Sequence, residues 1–146
     1  MSKKELVIAN PTGLPRRDDP AGSGAFAAPR GWRLHPGTDW LCKPGQPVRA
    51  PIGGKVNRIV YPYGDSRDFQ GLEIVAPDKS AIAHVFYLVP MPFLLHRTIE
   101  AGDTIGYAQD VRRRYPKDKK MKPHIHVTLY VNMELLLEAA EKDETP

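Results

Sequence analysis

The chain has 146 residues, 41% apolar and 26% charged, with a net charge of +4 and a single cysteine, Cys42. That length suits one hydrophobic core, and the lone thiol excludes an intrachain disulfide framework. No apolar run reaches the roughly 20 residues of a spanning helix, and the modest basic excess suits polyanions without selecting one.

Fifteen prolines and twelve glycines are dispersed along the chain, which predicts many short strands joined by turns rather than disorder. Residues 1–23 read as an extended N-terminal arm with Pro11, Pro15 and Pro20 and no sustained periodicity. Residues 24–131 read as the folded domain. Within it, Pro47–Ala50 and Lys55–Tyr61 are predicted strands around a turn at Pro51–Gly54. Leu72–Ala76 is a third strand, closed by the turn residues Pro77 and Asp78. Ala81–Val89 is apolar apart from His84 and predicts one buried strand. Thr98–Gly106 carries a turn at Ala101–Asp103 and a short strand after it, and 107–122 is a basic polar loop. His124–Val131 alternates cleanly: His124, His126, Thr128 and Tyr130 share one face, and Ile125, Val127, Leu129 and Val131 the other. Asn132 can cap a short helix over Met133–Lys142, so 132–146 reads as a C-terminal helix and tail. The fold class is therefore mainly β.

Chemistry concentrates at histidines. His35 and Asp39 lie four positions apart in a short segment read as a loop, where a nitrogen and an oxygen can reach one cation, with Pro36 and Gly37 shaping the turn. His124 and His126 project from one strand face with Cα atoms about 7 Å apart. His84 sits in an otherwise apolar strand and lines the same cleft if the two strands are adjacent; His96 has no motif and reads as structural. Catalytic zinc takes three protein ligands and keeps one position open, a set that His35, Asp39 and one histidine of the pair can supply.

The ordered motifs resemble those of the lysostaphin-type peptidoglycan endopeptidases. Gly31–Asp39 resembles the first zinc motif, Gly45–Val56 the "G-x-P-V-x-A-x-x-x-G-x-V" strand pair, Ala83-His84 the "Y-x-H-L" strand, Glu100–Gly106 "x-x-G-x-x-I-G", and Pro123–Val127 "G-P-H-L-H-F". The resemblance covers roughly residues 24–131. It departs at Lys122, where the family has glycine, and at Val85, where it has leucine. It implies an antiparallel β-sheet groove, one zinc per chain held by His35, Asp39 and His126, and a catalytic pair of His84 and His124. The implied substrate is peptidoglycan peptide, with no nucleic-acid partner and no membrane span.

The apolar segment Leu6–Ala9 is too short for a signal-peptide core. The expectation is synthesis in the cytoplasm and action at the wall after lysis, by a phage-encoded enzyme, or as part of a virion. A catalytically silent zinc-binding module of a phage particle or envelope complex is the alternative. A lipoyl- or biotinyl-type carrier shares some turn patterns, but Lys79 lacks the expected neighbours and the histidines go unexplained.

Overall fold

The computed structural model describes residues 8–14 and 32–132. Among these residues nine strands form two antiparallel sheets. The larger sheet has the order β1-β9-β5-β4-β3-β7, from strands β1 (Trp32–Leu41), β3 (Gly54–Val60), β4 (Gly71–Val75), β5 (Ala81–Phe86), β7 (Thr98–Ile99) and β9 (His124–Asn132). The smaller has the order β2-β8-β6, from β2 (Pro47–Arg49), β6 (Leu88–Pro90) and β8 (Thr104–Ala108). Short 3-10 turns at Pro92–Leu94 and Val111–Arg113 are the helical elements among the described residues.

Period-two alternation explains the packing. Leu72 and Ile74 of β4, Ala81, Ala83 and Val85 of β5, and Ile125 and Val127 of β9 turn inward and meet Val48, Leu88 and Ile105 of the smaller sheet. Burying each large aliphatic side chain contributes about 1.5–3 kcal/mol. The alternate positions Glu73, His84, Phe86, His124, His126 and Tyr130 therefore share the opposite face of the larger sheet.

The mainly β prediction holds, with two local differences. The His35–Asp39 segment, read as a loop, lies within the ten-residue strand β1. The single strand expected over Ala81–Val89 breaks at Tyr87, whose φ of 72° lies in the left-handed region, so that β5 stays in the larger sheet and β6 joins the smaller one. Most of the expected arm lies outside the described residues. Its described part docks: Ala9 N–H donates to the Pro51 carbonyl at 2.8 Å and Arg49 N–H to the Pro11 carbonyl at 2.8 Å. The C-terminal helix expected over Met133–Lys142 lies outside the described residues. Among them, no helix is long and apolar enough to cross a membrane.

Candidate active site

Pairing of β1 with β9 sets Asp39 opposite His126 and Leu41 opposite His124. Between His35 and Thr38 the register slips by one residue, so that Pro36 and Gly37 together face Thr128, a β-bulge. The bulge brings the β1 backbone against the His126 ring. A Cβ at Gly37 would lie 2.0 Å from Nε2 and 2.1 Å from Cε1 of His126. Gly37 is thus required for space, since its φ is outside the left-handed region.

The Asp39 carboxylate is the centre of the cluster. Its Oδ1 accepts from His126 Nδ1 at 2.6 Å, and its Oδ2 lies 3.7 Å from His124 Nε2. His124 is buried, and its Nδ1–H donates to the Lys122 carbonyl at 2.8 Å, which fixes the ring and turns Nε2 toward Asp39. Asp39 and His126 offer an oxygen and a nitrogen converging on one point, the donor types zinc takes. The expected third ligand, His35, pairs through its backbone with Leu129; its side chain lies outside the described residues. Among the described residues no group of three or more His, Cys, Asp or Glu forms a complete cation site. The two described donors fit a zinc ion. Cys42 is a core residue, its thiol pushed up to about 11 by burial and then by Asp110, and so neutral.

The structure does not bring His84 to His124. His84 pairs with Thr128, four positions along β9 from His124, or about 13 Å at strand spacing. Its Nε2 is 2.7 Å from Glu73 Oε2, and its ring stands edge-on to Phe86 and Tyr130. Glu73 also accepts from Asn57 Nδ2 at 2.6 Å and Arg58 Nη2 at 3.0 Å. Burial opposes ionisation of Glu73, but the hydrogen bonds from Arg58, Asn57 and His84 outweigh it and hold the carboxyl at about 2. His84 and Phe86 form one wall of an open cleft of about 400 Å³, with Arg58, Tyr61, Tyr63 and Arg67 around it. Phe86 links cleft and cluster, its ring centroid 6.4 Å from that of His126.

The ring that meets His124 is Tyr87, edge-on with centroids 5.7 Å apart. Its hydroxyl lies 3.1 Å from that of Tyr63, which lies 2.8 Å from that of Tyr115. Arg114, from the basic loop, stacks 4.0 Å over Tyr63 and pairs with Asp65. Sequence reasoning missed both Glu73 and Tyr87. Glu73 left a trace, the one charge in an apolar strand. Tyr87 left none, because its direction depends on an unusual backbone angle.

No family model matches the chain. Leukocyte cell-derived chemotaxin-2 of Mus musculus is 29% identical over 113 residues, 77% of this chain and 70% of that protein. The Bos taurus protein of the same name is 29% identical over 112 residues, again 77% and 70%. Among solved structures, one described as a peptidase M23 from Pseudomonas aeruginosa superposes with TM-score 0.57 at 18% identity, covering 95% of this chain and 54% of that one. Lysostaphin in solution superposes with TM-score 0.52 at 20% identity, covering 92% and 51%. The chain thus spans about half the length of these solved structures. The antiparallel sheets and these superpositions together show that the chain has the lysostaphin-type M23 peptidase fold.

Proposed function

We propose that the protein is a zinc-dependent endopeptidase that hydrolyses peptide bonds in the stem peptides or cross-bridges of bacterial peptidoglycan. The observation that carries this reading is the convergence of Asp39 Oδ1 and His126 Nδ1 at 2.6 Å beside a buried His124, on the sheet face that holds the aromatic and cationic cleft. His35, Asp39 and His126 would hold one zinc per chain. When bound, zinc supplies Lewis-acid polarisation of a carbonyl and activation of water. His124 presents Nε2 to the site, with Nδ1 anchored on the Lys122 carbonyl, and would serve there as the general base and acid of the hydrolysis. His84, assigned with His124 by resemblance, is held by Glu73 on the wall of the cleft and acts there on the bound peptide. The cleft offers rings for packing and guanidinium groups for peptide oxygens, which suits an extended peptide.

Two observations favour a second reading, a zinc-binding module that does not cut. A tyrosine, not a second histidine, stands against His124, and the relatives at 29% identity are named as chemotaxins. Metal analysis of the purified protein together with digestion of defined peptidoglycans, read by product mass spectra, separates the two. New peptide termini released only by the zinc-loaded protein support the enzyme; zinc-loaded protein that binds the wall and releases none supports the module.

A further inference from the structure

Tyr87 combines features that a packing role leaves unexplained. Its backbone is left-handed, rare for a bulky residue, and both of its backbone groups are clamped: N–H donates to the Gln70 carbonyl at 2.8 Å, and the carbonyl accepts from Gln109 N–H at 2.8 Å. Gln109 Oε1 in turn accepts from Gln70 N–H at 3.0 Å, so the unusual angle is held from two sides. Such over-determined strain clusters at functional sites. Its consequence is to turn the ring out of the β5–β6 path and onto His124.

The hydroxyl is the end of a chain. Tyr115 is at the surface, Tyr63 is between, and Tyr87 is innermost. If Tyr115 donates to Tyr63 and Tyr63 to Tyr87, each phenol spends its one proton inward, and the Tyr87 proton is left for the site. Accepting a hydrogen bond also makes a hydroxyl a better donor. Burial pushes the Tyr87 phenol up; the Tyr63 hydrogen bond and Arg114 oppose this, and the Tyr115 and Asp39 charges add to it. The group therefore stays neutral at physiological pH and can donate but not act as a base.

We infer that Tyr87 is the hydrogen-bond donor opposite His124, aimed at the oxygen that becomes negative when water attacks the scissile carbonyl. This rests on the endopeptidase reading above. No bond to Tyr87 forms or breaks, and it keeps its proton throughout. Loss of one such donor lowers kcat by about 100- to 1,000-fold.

The test uses the zinc-loaded full chain, Tyr87→Phe and Tyr63→Phe, with zinc content and thermal midpoint measured on each. Two readouts are taken: cleavage of peptidoglycan, and calorimetric binding of a glycyl-glycine phosphinate, whose anionic oxygens imitate the attacked carbonyl. Tyr87→Phe is expected to keep zinc and fold, to lose kcat with KM unchanged, and to bind the phosphinate about 10- to 100-fold more weakly. Tyr63→Phe, which leaves the last hydroxyl in place but breaks the chain, is expected to fall between the wild type and Tyr87→Phe. Unchanged turnover and phosphinate binding in Tyr87→Phe overturns the assignment while leaving the endopeptidase reading intact. A wild type that cuts nothing, but whose phosphinate affinity still depends on the Tyr87 hydroxyl, overturns the endopeptidase reading and keeps the donor. Wild type without cleavage or phosphinate binding overturns both.

Discussion

Replacing Gly37 by alanine adds one methyl group where the structure has no room for it. The new Cβ would lie 2.0 Å from His126 Nε2 and 2.1 Å from Cε1, so the ring has to retreat by more than an ångström. The 2.6 Å contact between His126 Nδ1 and Asp39 Oδ1 cannot survive that movement. Two effects set the sign of the stability change. At a tolerant site Gly→Ala stabilises by about 0.4–1 kcal/mol, because the unfolded chain loses freedom. Overpacking costs about 1–3 kcal/mol. The expected outcome for Gly37→Ala is a net loss of about 1–2 kcal/mol, with the fold retained and zinc affinity lowered by tenfold or more as the two proposed ligands separate. Denaturant titration gives the first quantity, and competition with a chromophoric chelator gives the second. A variant as stable as the wild type or more so, with unchanged zinc affinity, would refute the claim that the glycine makes space for the His126 ring.

Four further outcomes follow from the same geometry. His35→Ala, Asp39→Ala and His126→Ala should each strip a stoichiometry of about one zinc per chain, read by elemental analysis, whereas Cys42→Ser should retain it; three zinc-replete ligand variants would remove the site. His124→Ala should keep zinc and lose about 100- to 10,000-fold in cleavage. His84→Ala, at a site four register positions from His124, should lose less than His124→Ala, and equal losses measured on the same zinc-loaded samples would restore His84 to the reacting centre. Glu73 titrates at about 2 in the folded chain against an ordinary 4.5, so its contribution is complete above pH 4.5 and disappears as pH falls toward 2. That contribution is about 3 kcal/mol at neutral pH, and Glu73→Gln should remove it and flatten the stability profile between about pH 5 and pH 2, a result that unchanged acid unfolding would contradict.

Much of the architecture was legible in the chain because alternation is local. The period-two pattern of His124–Val131 sets both histidines on one face whatever the strand pairs with, and the same rule separates Leu72 and Ile74 from Glu73. The turn at Ala101–Asp103 was equally readable, since it needs Gly102, whose φ is 93°. The His35–Asp39 segment reads as a loop because Pro36 and Gly37 are turn residues by composition; in the structure they form the bulge of a strand.

What the sequence by itself determined is which groups are available: the imidazoles, the carboxylate of Asp39, and the faces from which His124 and His126 project. The tertiary structure alone decided which of them meet. Asp39 and His126 are 87 positions apart and come together only through the β1–β9 register, with a bulge resetting it. His84 and His124 face the same side of adjacent strands, yet the β5–β9 register keeps them apart and gives His84 to Glu73. Tyr87 reaches His124 only because its hydrogen bonds to the Gln70 carbonyl and from Gln109 N–H hold a backbone angle that no local preference favours. Register and strain of this kind come from long-range pairing, which a one-dimensional pattern does not encode.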